Sequence, residues 1–66
     1  MTVSYKKMWI KLAEREMSKA DLRREAGFSS ATLTKLNNNE IVALSVLVNI
    51  CKALKCDIGD VMEVIK

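Results

Sequence analysis

Apolar residues recur along most of this chain at spacings of three and four, the pattern of helices that each turn one face inward. Tyr5, Met8, Trp9, Leu12 and Ala13 outline a first helix from Tyr5 to about Glu16, with Ser4 placed to cap it and Trp9 as the expected core anchor. Leu22 and Ala26 mark a second, begun by Ser18 and Asp21 at the spacing of a capping box. Leu33 and Leu36 mark a third. Leu44, Leu47, Ile50, Cys51 and Leu54 outline a fourth, and Ile58, Val61, Met62 and Ile65 a short fifth that Asp57 and Asp60 cap. With no proline, two glycines and no alternating polar and apolar run, the expectation is an all-α fold of five helices.

The junction between the second and third helices is the most informative part. Ala26 is small enough to let a neighbouring helix approach, and Gly27 can take the left-handed conformation that redirects a chain in one residue. Phe28 plugs the turn, and the Ser29 hydroxyl is placed to cap the next helix. Two short helices meeting steeply over a shared core read as a helix-turn-helix over about residues 19–38. The same turn suits a plain helical hairpin; the outer face of the third helix favours recognition. Ser30, Ala31, Thr34, Lys35 and Asn38 project away from Leu33 and Leu36, and none is too bulky for a DNA major groove about 12 Å wide. Their hydroxyl, amide, ammonium and methyl groups match what base edges offer there.

Charge sharpens this picture. Residues 1–38 hold eight Lys and Arg against four Asp and Glu, and residues 39–66 hold three against four, so the net +3 divides into a +4 half and a −1 half. The basic half contains the helix-turn-helix, as phosphate binding requires. Lys19 opens the second helix, where the macrodipole already favours an anion, and is the best-placed phosphate ligand. Lys6 and Lys7 stand in the first turn of the first helix, against the macrodipole preference, and suit a solvated face better than a DNA contact.

Sixty-six residues, half of them hydrophobic, make one domain, 1–66, with a small core. No apolar run approaches the roughly 20 residues that span a bilayer, and the amino end lacks a signal-peptide core, so a cytoplasmic protein without membrane contact is expected. Without histidine, neither a zinc cluster nor a Cys–His nucleophile can be built from Cys51 and Cys56, which read as inert thiols, a redox pair being the sharper alternative. There is no glycine-rich phosphate loop and no set of catalytic groups. The expectation is therefore no enzyme, no catalytic or metal-binding residues, no cofactor and no small-molecule ligand.

On these residues the chain resembles the lambda-repressor-like, Cro/cI-type helix-turn-helix family, also called the xenobiotic-response-element family. Leu22, Ala26, Gly27, Phe28, Leu33 and Leu36 fall where that family places its motif core, and the ending from Ile50 to Val61 is similar to a subgroup of very short bacterial or phage regulators. The resemblance implies a five-helix DNA-binding domain that binds operators in double-stranded DNA and regulates transcription, with repression expected. It places Ser30, Ala31, Thr34 and Lys35 towards bases, and Lys19, Ser29 and Asn38 towards phosphate or adjoining bases. Two positions depart from the family pattern: Arg23 stands where alanine is common, and Ala43 where serine often caps the fourth helix.

A domain this small gains useful affinity by binding as two copies on half-sites one helical turn apart, so a homodimer is expected. Ile41, Val42, Val46 and Val48 lie largely off the fourth helix's inner stripe and form the candidate dimer patch; tucking under the core is the alternative for some of them. The competing function is a protein-interaction module, an antirepressor or accessory subunit, that keeps the fold without binding DNA.

Overall fold

Tyr5, Met8, Leu22, Leu36, Ile50, Leu54 and Val61 are buried almost completely, and the rest of the chain is arranged to cover them. A computed structural model describes residues 2–66. The order is β1 (Thr2–Ser4), α1 (Lys6–Glu14), α2 (Lys19–Ala26), α3 (Ser30–Asn37), α4 (Leu44–Leu54), a 3-10 turn (Ile58–Asp60) and β2 (Glu63–Ile65). Helix α2 packs mainly on α4, with α3 against α2 and the 3-10 turn against α4. Each fully buried leucine or isoleucine contributes about 1.5–3 kcal/mol, so a few side chains per helix hold elements too short to persist alone.

The fold is mostly helical, with four α-helices among the described residues in place of the five expected. The capping pair after α4 forms, the Asp57 N–H donating to Asp60 Oδ2 at 3.1 Å, but it closes only the single 3-10 turn. Gly59 lowers helix propensity there, and the β-branched Val64 and Ile65 favour the extended form once a partner strand is available. That partner is β1. The strands run antiparallel with Thr2 opposite Ile65, Val3 opposite Val64 and Ser4 opposite Glu63. Ser4 is thereby drawn into β1, and Tyr5 takes the N-cap position of α1 without a side-chain cap; Ser4 Oγ still accepts from the Lys6 N–H at 3.3 Å.

Three further expectations need correction. Ala13 is exposed, because it lies about 100° round the helix from Leu12 and beyond the edge of the buried face. Trp9 is half-buried at the rim of the core, and Met8 and Leu12 are the residues of α1 that fill it. Leu44 shares a face with Leu47 by spacing but is 65% exposed, since nothing covers the first turn of α4 on that side.

Three of the four helices end in the same way. Glu16, Asn39 and Lys55 all take left-handed backbone, with φ of 55°, 56° and 55°. The next N–H in each case reaches back five residues: Met17 to the Leu12 carbonyl at 3.0 Å, Glu40 to Lys35 at 2.9 Å, and Cys56 to Cys51 at 3.0 Å. These closures satisfy carbonyls that the helix leaves free. A non-glycine residue in this conformation costs about 1–2 kcal/mol.

Tyr5 ties the amino end to the α3–α4 connection. Its hydroxyl donates to the Glu40 carbonyl at 2.6 Å and its backbone N–H donates to Asn39 Oδ1 at 3.2 Å. Burial pushes the phenol above its usual 10, against a smaller opposing pull from the Val42 backbone.

Lys55→Gly is expected to raise unfolding stability in urea by about 0.5–1 kcal/mol, by relieving the left-handed position. Tyr5→Phe should lower it by about 1 kcal/mol. Because the folded Tyr5 value lies above the unfolded one, its contribution is complete below pH 10 and is lost as pH rises through the folded value. Denaturation across that alkaline range should show the wild type losing stability through a step that Tyr5→Phe lacks.

Candidate nucleic-acid interface

The turn between α2 and α3 is built from local rules. Ser18 and Asp21 open α2 reciprocally: the Asp21 N–H donates to Ser18 Oγ and the Ser18 N–H to Asp21 Oδ2, both at 3.0 Å. The Ser18 backbone donor, then its hydroxyl, and to a lesser degree the Arg24 guanidinium hold the Asp21 carboxyl below its ordinary value. Arg24 is engaged with Asp21 by a direct ion pair. Gly27 ends α2 at φ 75°, with its N–H donating to the Arg23 carbonyl at 2.9 Å. Phe28 is buried behind the turn. The Ser29 hydroxyl then accepts from the Thr32 N–H at 3.2 Å and starts α3.

Helix α3 buries Leu36, half-buries Leu33, and leaves Ser30, Ala31, Thr34, Lys35 and Asn38 exposed on the opposite side. The structure therefore brings all the candidate base-facing residues onto one open face. The Thr34 hydroxyl donates to the Ser30 carbonyl at 3.2 Å, which leaves its oxygen as an acceptor towards solvent. Asn38 caps the carboxyl end of α3, its Nδ2 donating weakly to Glu40 Oε2 at 3.5 Å.

Lys19 opens α2 beside this face, in a more constrained setting than its spacing indicates. Its Nζ donates to Asn37 Oδ1 at 2.7 Å and stands 4.3 Å from the centroid of the Trp9 ring. Asn37 and Trp9 are thus parts of the site that sequence reasoning missed. The spacing of Trp9 with Met8 and Leu12 signals only a core position, and nothing local links Asn37 to a residue 18 positions earlier. Lys6 is exposed on α1, and Lys7 Nζ is 3.5 Å from the Gly59 carbonyl, at the 3-10 turn.

The candidate dimer patch divides. Ile41 is 78% exposed and Val48 39%, whereas Val42 and Val46 are half-buried against the core. Leu44, expected inside, joins Ile41, in the connection before α4, and Val48, one turn further along α4, as exposed apolar residues. Before α4, Ala43 supplies no side-chain cap. Cys51 and Cys56 are free and half-buried, and burial, with Cys56 close by, pushes the Cys51 thiol up and away from reactivity. Among the described residues no three His, Cys, Asp or Glu side chains gather to hold a metal, and no helix is long and apolar enough to cross a membrane.

A capped helix pair joined through a left-handed glycine, the second helix open on its polar side, defines a helix-turn-helix of the DNA-binding kind. The model of the Cro/C1-type helix-turn-helix DNA-binding domain matches residues 7–66, and the chain belongs to that family, as the residues from Leu22 to Leu36 lead one to expect. It is 43% identical over 56 residues, 82% of this chain and 67% of the relative, to YozG of Bacillus subtilis (strain 168), an uncharacterized HTH-type transcriptional regulator. Among solved structures it is similar to the transcriptional regulator VanUg, with 48% identity and a TM-score of 0.91 over 94% of this chain and 83% of that one.

A Cβ added at Gly27 would meet no atom within 4 Å, so Gly27→Ala tests the backbone conformation alone. Thermal unfolding should show a loss of about 1–2 kcal/mol for Gly27→Ala, and about 1 kcal/mol for Ser29→Ala.

Proposed function

We propose that this chain is a sequence-specific DNA-binding transcriptional regulator that seats α3 in the major groove and acts as a repressor. One observation carries the reading: among the described residues the exposed side of α3 is lined by Ser30, Ala31, Thr34 and Lys35, small or flexible groups, mostly polar, whose helix is fixed from behind by Leu36. Lys19, Ser29 and Asn38 flank that side, at the start of α2 and the two ends of α3, as backbone-phosphate or adjoining-base contacts. The regulators YozG and VanUg support the assignment to transcription. Occupancy supports repression, since a body of 30 × 23 × 17 Å seated over the groove excludes other proteins from the same stretch of DNA.

The proposed unit on DNA is a homodimer. Half-sites one helical turn apart are separated by about 34 Å, which accommodates two bodies of 30 Å longest dimension side by side. Ile41, Leu44 and Val48 supply an apolar surface for pairing, with Val42 and Val46 supporting it from beneath. The same exposed residues favour the second reading, an interaction module that binds another protein.

Mobility shifts at rising salt with mixed genomic fragments separate the two readings: a DNA binder weakens steeply, while a protein-only module gives no shift. Binding selection from a random DNA pool should yield a paired site, and Thr34→Ala and Lys35→Ala should each relax preference at particular base pairs by about 1–3 kcal/mol. Equal losses on every sequence would overturn the base-facing assignment. Leu44→Asp should leave the fold intact and abolish the paired complex, read by sedimentation with and without DNA.

A further inference from the structure

We infer that Trp9 is a positioning residue for phosphate binding, which it serves by holding the Lys19 ammonium between its ring and Asn37. This rests on the DNA-binding reading above and adds to it a residue from outside the helix-turn-helix. The Lys19 side chain is exposed, and a free lysine at the surface samples many rotamers that a bound one gives up. Here the ammonium is already located by two contacts of different kinds: Asn37 Oδ1 at 2.7 Å takes one N–H, and the face of Trp9, 4.3 Å from Nζ, attracts the charge through the ring quadrupole. An ammonium has three donors. One is used by Asn37, which leaves donor capacity for a phosphate oxygen.

The geometry also explains why a tryptophan in α1 stops at the rim of the core. Met8 and Leu12 are buried completely or nearly so, whereas Trp9 is half-buried and keeps a ring face towards Lys19. The cluster joins α1, α2 and the last residue of α3, so the cation is registered against the helix proposed to read bases. With Oδ1 occupied, the Asn37 amide is oriented as well, its nitrogen free to donate.

The test is a double-mutant cycle on DNA affinity and its salt dependence, using Lys19→Met, Trp9→Leu, Trp9→Phe and the Lys19→Met combinations. Lys19→Met should lower affinity alike on unrelated sequences and reduce the slope of log K against log salt by about 0.9, the value for one phosphate. Trp9→Leu should weaken binding roughly two- to fivefold, Trp9→Phe less, and neither should weaken it further once Lys19 is Met. Trp9→Phe keeps an aromatic core rim, so the cycle remains readable if Trp9→Leu unfolds. Losses at Trp9 that persist undiminished in the Lys19→Met background would overturn the inference and make Trp9 a packing residue, with DNA binding unaffected as a conclusion. No salt-dependent binding by the wild type would instead overturn the DNA-binding reading, and this inference with it.

Discussion

The governing constraint is that α3 must stay ordered while one whole side of it stands exposed. A helix of eight residues is unstable by itself, and packing on every side, the usual remedy, would bury the groups proposed to meet DNA. The chain meets the constraint at the ends and from behind. Ser29 caps the start, Leu36 anchors the inner side with no exposed surface, and the left-handed Asn39 closes the last turn. Asn37 and Asn39 then tie the carboxyl end to Lys19 and to the Tyr5 backbone. The asparagine run at the end of α3 thus serves three tasks, a helix stop and two tethers.

This arrangement explains which parts were legible in the sequence. Signals confined to a few consecutive residues read correctly: the Ser18 and Asp21 capping box, the left-handed Gly27, the Phe28 plug, the Ser29 cap and the polar side of α3. The β1–β2 pairing did not, because three-residue strands are too short to display a period of two and the partners lie at opposite ends of the chain. Val61, Met62 and Ile65 match a helical spacing, yet the extended form begins at Glu63, where Val64 and Ile65 find Thr2–Ser4 as a partner strand. Trp9 and Leu44 failed for a related reason. Periodicity says which side of a helix a residue occupies, but not whether another element reaches far enough to cover it.

Large apolar side chains stand exposed at Ile10, Ile41, Leu44, Val48, Val64 and Ile65, and Ile41 and Leu44 are the most open of them. Among the described residues no buried side-chain polar atom lacks a hydrogen bond, so the interior is well satisfied and the anomaly is confined to the surface. Cys51, in the last turns of α4, and Cys56, just beyond its end, lie far from Leu44 in a setting that raises the Cys51 thiol and gives the pair a packing part.

The pairing of Thr2–Ser4 with Glu63–Ile65 has a kinetic implication. The packing of α2 on α4 already joins separated parts of the chain, but this ladder can form only when nearly the entire chain has been closed into a loop, which carries the largest entropic penalty in the molecule. The helices are therefore expected to assemble ahead of the strands during folding, with the ladder closing last. In the native state the same ladder, with Val64 and Ile65 exposed, is expected to open first, its amides exchanging before those of α4 around the fully buried Ile50.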